Sequence, residues 1–309
     1  MSDTTFARLD VLKTYKLYVG GKFPRSESGR VYEVTKATSA ADAAGKREWL
    51  ANAPLGTRKD ARDAVLAARA AVKGWAGTTA YNRGQVLYRV AEMLQGRREQ
   101  FAAEVAVSEG IGPKKAAALV DAAIDRWVWY AGWTDKVAQI AGGANPVAGP
   151  FFNLSTPEPT GVVGIVAPQA GYGHSLLGLV SVIAPAIATG NTVVVAAAAD
   201  APLPALSLGE VLATSDVPGG VVNIISGRTA DIAPTLASHQ DVNALDLTGA
   251  IAADGPGAAP ALEAAAADTL KRVVRPELDP FARDWTDAPG TDRLLSFLET
   301  KTVWHPMGI

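Results

Sequence analysis

The chain contains no cysteine. Disulfides, thiolate metal sites and a cysteine nucleophile are thereby excluded together. Histidine is almost as scarce. His174, His239 and His305 lie far apart, and none has a second histidine or a carboxylate at metal-ligand spacing, so no metal site is expected. An excess of one charge is lacking too: 29 Lys and Arg face 31 Asp and Glu, for a net charge of −2. No electrostatic case exists for a nucleic acid or an anionic membrane as partner. Long hydrophobic runs are missing as well. The longest, Leu176 to Ala188, is interrupted by Gly178, Ser181 and Pro185 and is too short to span a bilayer. The first residues, MSDTTFARLD, are polar and charged, unlike a signal peptide, and a soluble cytoplasmic protein is expected.

What the 309 residues do contain is an ordered series of short apolar runs, in a chain long enough for about two domains and a sizeable core. GVVGIVAP (161–168), NTVVVAA (191–197), GVVNIIS (220–226) and VNALDLTG (242–249) read as strands. An amphipathic run over 174–189 and a helical run over 203–213 separate the first three. Fully apolar strands alternating with helices predict an α/β protein, with a Rossmann-like parallel sheet buried on both faces. Such a sheet places its ligand crevice at the carboxyl ends of its strands.

Before the sheet, residues 1–15 have little pattern, and KLYVGGKFPRSESGRVYEV (16–34) alternates like a β-hairpin. Thr35 to Thr57 reads as an irregular insert. Four helices follow, over Arg58–Trp75, Tyr81–Leu94, Arg98–Gly110 and Lys114–Lys136. The last carries Trp127, Trp129, Tyr130 and Trp133, an aromatic stripe expected to serve core packing or an oligomer contact. Pro150 to Leu154 alternates like an exposed strand. Beyond the sheet come an Ala-rich helix over Ile251–Thr269, entered through a flexible Gly-Pro-Gly, and a short strand over Lys271–Leu278. A polar link over Asp279–Asp292, a helix-like LLSFLE (294–299) and a strand-like KTVWH (301–305) complete the chain.

GVVGIVAP, IAPAIATGNTVVV, PGGVVNIISG and ASHQDVNALDLTG, in that order and spacing, resemble the NAD(P)-dependent aldehyde dehydrogenase superfamily over about residues 16–278. The tail LLSFLETKTVW resembles the family's extreme C-terminus. The resemblance implies a truncated, degenerate member lacking the catalytic domain. Residues 1–140 would be an N-terminal hairpin and helices packing on the sheet. Residues 141–160 with 300–309 would be oligomerisation strands, 161–278 a degenerate NAD-binding domain, and 279–299 a link in place of the catalytic domain.

The chemistry the resemblance implies fails at several positions. The family's thiolate attack on an aldehyde has no cysteine to carry it. Its Pro-Trp-Asn, whose Asn supports the oxyanion, is Pro168, Gln169 and Ala170 here; losing one such donor typically costs about 2.7–4 kcal/mol. The Gln169 amide, one position away, is expected to point elsewhere. The family's Lys-Pro-Ser-Glu, which holds the adenosine ribose, is Ala196, Ala197, Ala198 and Ala199. Gly227 keeps one loop glycine, but the next is Thr229. Thr248 and Gly249 remain, Ser has become Ala250, and Asp254 stands where a glycine would face the pyrophosphate, a charge that repels it. Glu277 matches the general base, but Asp279 and Pro280 replace the two glycines beyond it. Pro168, Gly227, Thr248 and Gly249 are thus the remnant of a groove lost at Ala196, Ala199, Ala250 and Asp254, and no cofactor is expected, though weak NAD(P) binding stays open. His174, near the crevice mouth, and Ser175 are neighbours without triad geometry.

By the same resemblance, Phe151, Phe152 and Leu154 would form the oligomerisation hairpin, and Thr302, Val303 and Trp304 the last strand. Three readings stand: a non-catalytic subunit that associates with a full-length aldehyde dehydrogenase or with itself; an oxidoreductase acting on aldehydes by altered chemistry; and a small-molecule binding module with an apolar crevice.

Overall fold

The computed structural model describes residues 11–37 and 48–308. The first regular elements are two short antiparallel strands, β1 (Val31–Thr35) and β2 (Trp49–Pro54). This corrects two expectations. The stretch over 16–34 is not one hairpin, and the segment 35–57 is not wholly irregular. The two halves of 16–34 separate instead. Residues 17–24 close a tight turn of their own, with reciprocal Val19–Lys22 backbone bonds of 3.0 Å across Gly20 and Gly21. Those glycines sit at φ +61° and +75°, which a two-residue hairpin turn of this hand requires. Tyr18 then pairs antiparallel with Ile224 of the main sheet, while β1 finds its partner beyond residue 48. Alternation in a sequence marks a half-buried strand without naming its neighbour. Of the expected loose segment 1–15, residues 1–10 lie outside the described residues. Lys13 and Tyr15 are held by Ser207 and Glu104.

Helix α1 (Arg58–Gly77) begins at a capping box. Thr57 accepts from the backbone of Asp60, and Asp60 reaches back to the Thr57 amide. Helices α2 (Ala80–Gln95), α3 (Arg98–Glu109) and α4 (Pro113–Trp133) follow as expected. On α4 the apolar positions Ala116, Leu119, Val120, Ala123 and Trp127 share the buried face. Of its aromatic stripe, Trp127 and Tyr130 are core residues, and Trp129 and Trp133 are half-buried against each other. A short α5 (Val137–Ala141) leads into β3 (Gly143–Asn145) and β4 (Phe151–Pro159).

The main sheet begins with β5 (Val162–Val166). A π-helical turn over His174–Gly178 then feeds α6 (Leu179–Ala188). Every residue of α6 is buried, so the run expected to be amphipathic has no solvent-facing side over this helix. The reason is its place between the sheet and helices α2 and α4. Then come β6 (Thr192–Ala196), α7 (Leu203–Ala213), β7 (Val222–Ile225), α8 (Thr229–Ser238) and β8 (Ala244–Asp246). The expected Ala-rich helix is split at residues 255–257 into α9 (Ala250–Asp254) and α10 (Ala258–Ala267). Strand β9 (Arg272–Val274) is shorter than expected, because Pro276 cannot donate to a ladder.

The five strands are parallel in the order β7-β6-β5-β8-β9. Val163, Ile165, Val193 and Val195 face the cluster built with α2, α3, α4, α6 and α7. Val162, Val166, Val194 and Ala196 face the cluster built with α1, α8 and α10. Burial on both faces is why these strands are apolar without alternation. The architecture is therefore the expected α/β, Rossmann-like one. None of the described helices is long and apolar enough to cross a membrane.

After β9 the link forms turns capped by its own carboxylates: Asp279 accepts from the Phe281 amide and Asp284 from the Thr286 amide. Then α11 (Asp292–Ser296) and β10 (Leu298–Pro306) close the chain. Strand β10 pairs with β4 over nine residues, in a three-stranded sheet ordered β10-β4-β3. Its outer edge has no partner among the described residues. Phe151, Phe152, Val303 and Trp304 on these two strands are exposed.

Candidate functional site

The carboxyl ends of β5, β6, β7 and β8 converge on one crevice, and each end is met by protein. After β5, Gln169 folds back over the strand ends. Its Nε2 donates to the Ala167 carbonyl at 3.0 Å, and its Oε1 accepts from the Ala199 amide at 2.9 Å. The side chain thus ties the end of β5 to the end of β6. Ala170, beside it, offers only a methyl group. After β6, the run Ala196–Ala198 is buried and Tyr32 of β1 donates to the Ala199 carbonyl at 3.0 Å. Burial, and then Asp200 nearby, push the Tyr32 hydroxyl well above the usual tyrosine range, so it stays a neutral donor.

After β7, the chain leaving β2 crosses the strand end. Gly56 donates to the Ser226 carbonyl at 2.8 Å, and Ser226 Oγ donates to the Pro54 carbonyl at 2.7 Å. Gly227 (φ +144°) packs so closely that a Cβ there would stand 3.0 Å from the Gly56 nitrogen. After β8, Gly249 donates to the Val166 carbonyl at 3.0 Å. A Cβ on it would fall 1.8 Å from the Ala167 oxygen, so glycine alone permits this approach. The main chain after β8 therefore packs directly on the end of β5.

A second group of residues, absent from the sequence expectations, covers this crevice from the link and tail. Asp246, at the end of β8, is fully buried. Arg293 of α11 donates to it and, at 2.9 Å, to the Thr248 hydroxyl. Thr248 in turn donates to Asp246. Trp285 of the link is buried against Gly178, where a Cβ would meet its ring at 2.9 Å. Arg126 of α4 holds the link from below. It donates to Ser181 Oγ at 2.7 Å, to the Trp285 carbonyl at 2.9 Å and to the Asp287 carbonyl at 2.8 Å. Burial lowers the pKa of this guanidinium, although arginine stays charged at any physiological pH. Arg283 and Arg293 lie over the Trp285 ring at 5.3 and 6.0 Å.

Between link and strand ends remains a cavity of about 420 Å³, with Arg126, Gln169, Thr248, Glu277, Arg283 and Arg293 on its wall. Glu277 is half-exposed and paired with Arg283 at 3.0 Å. His174 turns away from this cavity. Its Nδ1 is 2.7 Å from the Gly171 carbonyl, and Glu109, 3.8 Å from it, accepts from Ser175 Oγ. His239 and His305 lie elsewhere, on a helix end and on β10.

Two signals for the second group were present in the sequence. Arg126 falls on the inward face of α4, between Ala123 and Tyr130, and Asp246 interrupts an apolar strand; charges in such positions need partners. Trp285 and Arg293 carried no local signal, because their places depend on how the link folds back.

The dinucleotide implied by the resemblance does not fit these residues. Pro168 and Thr248 line the cavity, but Gln169 already uses the polar groups at the β5 and β6 ends, and Ala196 and Ala199 bring no side-chain partner for a ribose. Helix α9, opened by Gly249 and Ala250, has only five residues. It ends in Asp254, whose carboxyl is raised by burial and then by Asp231. A carboxylate there opposes a pyrophosphate.

Comparison with known proteins agrees with this fold. The aldehyde dehydrogenase family profile matches residues 33–274. The chain is 33% identical over 245 residues to 2-hydroxymuconic semialdehyde dehydrogenase of Pseudomonas sp. (strain CF600), covering 77% of this chain and 48% of that one. It is 32% identical over 243 residues to retinal dehydrogenase 2 of Gallus gallus, covering 77% and 44%. The NAD+ complex of aldehyde dehydrogenase from Bacillus cereus superposes with a TM-score of 0.75 at 26% identity, over 84% of this chain and 50% of that one. The chain thus spans about half the length of these relatives. On the extent of the match and the agreement of the fold, it belongs to the aldehyde dehydrogenase family.

Proposed function

We propose that the chain is a non-catalytic member of this family that serves as an associating, structural or regulatory subunit of a full-length aldehyde dehydrogenase. One observation carries the reading. Gln169, Gly249 and the link close in on the crevice where the family's chemistry belongs, while β4 and β10 form a nine-residue pair that exposes Phe151, Phe152, Val303 and Trp304 and has an edge unpartnered among the described residues. An open edge with such side chains is an association liability unless something covers it. The absence of cysteine from the chain and the methyl group of Ala170 support the same reading.

The test is an affinity purification of the tagged protein from its native cell, with native mass measured on the eluate. Recovery of a cysteine-containing aldehyde dehydrogenase in fixed ratio is expected. Recovery of the protein as a solitary monomer would overturn the subunit reading.

The relatives' names favour a second reading, an oxidoreductase acting on aldehydes with NAD(P). Glu277 on the cavity wall is the observation in its favour. Nicotinamide reduction by the purified chain with any aldehyde would establish it over the first.

A further inference from the structure

The link that covers the family crevice leaves a cavity whose wall carries the family-matched positions Pro168, Ala170, Thr248 and Glu277, and also Arg126, to which the resemblance gives no role. Its deepest polar group is Arg126, more than nine-tenths buried. All three of its bonds go to neutral oxygens: one hydroxyl and two main-chain carbonyls. A guanidinium has five N–H donors, and its strongest partners are carboxylates held in the plane of its fork. A buried cation hydrogen-bonded only to neutral dipoles is costly unless an anion offsets it, and the Asp287 carboxylate acts on Arg126 only through space, without a hydrogen bond to it.

The other arginines on the wall are already committed: Arg293 to the buried Asp246, Arg283 to Glu277, and Arg275 to Glu263. The wall also carries Asp279, Asp284, Asp287 and Asp292. These side chains belong to exposed residues at the mouth, and Asp279 and Asp284 are engaged by their own turns. Water and salt screen charges at the mouth; the buried Arg126 is screened far less. The arrangement is a desolvated cation at the floor and an exposed carboxylate rim. It admits one negative charge that can reach the floor and opposes a ligand carrying several.

We infer that the link-covered cavity binds a small monocarboxylate, its carboxylate received by Arg126 and its remainder lying toward the carboxylate rim. The volume of about 420 Å³ suits a compact metabolite. A rim of carboxylates also favours a ligand whose far end carries an ammonium group, as an amino acid does. The inference stands apart from the subunit reading, because it concerns the isolated chain and needs no partner.

The experiment is isothermal titration of the full chain with propionate and with β-alanine, against sodium chloride at matched ionic strength. Saturable binding of at least one probe is expected. A preference for β-alanine gives the rim the ligand's ammonium, and a preference for propionate makes the ligand a simple acid. Binding should weaken about tenfold or more in Arg126→Met, the loss of one charge-assisted hydrogen bond or more. Ala282→Trp, an exposed wall position that leaves Arg126 untouched, should obstruct the cavity and weaken binding similarly. Circular dichroism establishes which variants fold, and if Arg126→Met does not, Ala282→Trp decides. No saturable binding of either probe overturns the inference, as does undiminished binding in a folded Arg126→Met or in Ala282→Trp.

Discussion

Arg293, in the last helix of the chain, donates to Asp246, a carboxylate with no exposed surface at the end of strand β8. The pair fastens the tail to the central sheet, and Thr248 joins both members. The fold would otherwise hold a buried charge at the crevice floor with nothing opposite it.

That pairing has a direct consequence for stability. Arg293→Met strands the Asp246 carboxylate and should lower unfolding free energy by about 3–5 kcal/mol, read from urea denaturation. Adding Asp246→Leu removes the stranded charge, and the double variant should recover most of the loss. A single variant as stable as wild type would mean that the pair does not hold the tail.

Gly249 permits a contact that no other residue can make. Gly249→Ala sets a Cβ against the Ala167 carbonyl and should cost about 3 kcal/mol, at the upper end of overpacking effects. Gly290→Ala is the control: a Cβ there meets nothing within 4 Å, and its effect should stay within about 0.5 kcal/mol. Thermal melts of the two variants side by side separate close approach from a general intolerance of alanine.

If Gln169, Ala199 and Asp254 are what exclude a dinucleotide, reversing them together should admit one. The triple variant Gln169→Ala, Ala199→Glu, Asp254→Gly should bind NAD+ more tightly than wild type in a fluorescence titration. Gln169→Ala alone should lose about 1 kcal/mol of stability, because the Ala199 amide loses its acceptor. Equal NAD+ affinity in wild type and the triple variant would place the obstruction elsewhere.

Glu104 should leave a signature in the pH dependence. Burial is the main cause that raises its pKa above the usual glutamate value of 4.5; Lys13 and the hydrogen bonds from Gln100, Ser207 and Tyr15 oppose the shift. Below 4.5 the group is protonated in both folded and unfolded chains and contributes no pH dependence. As pH rises from there the unfolded chain ionises first, so folding loses stability until the folded-state pKa is passed, and then the loss is constant. Glu104→Gln cannot ionise. Its stability relative to wild type should therefore rise from about pH 4.5 upward and then level off, measured by denaturation across a pH series. A difference that falls over that range would reverse the assigned shift.

The open edge of β10 invites a charge test. Val303→Lys with Trp304→Glu should change the thermal midpoint little, since both side chains are exposed, yet abolish recovery of a partner or of a self-assembled oligomer. Unchanged assembly in that variant would move the interface to another surface.

By itself, the sequence determined the sheet, its strand composition and the helices that flank it. Short apolar runs at helix-length intervals can bury both faces in few other ways, so GVVGIVAP, NTVVVAA and GVVNIIS were legible as parallel strands. The same local reading marked Ala170 and Ala199 as positions without polar side chains, which holds in any fold. What periodicity cannot encode is which distant segment meets which. Strand β1 pairs with β2 across a stretch that looked irregular, and Tyr18 joins the edge of the main sheet, because alternation specifies a face and not a partner. The link shows the same limit. Its Pro, Asp and Gly content marked only a polar link, yet Trp285 and Arg293 within and beside it cover the crevice. Their positions come from a buried arginine and a buried aspartate on other elements, Arg126 and Asp246, which must find partners once water is removed. Tertiary packing alone decided that the space left beneath the link would be a cavity with a cation at its floor.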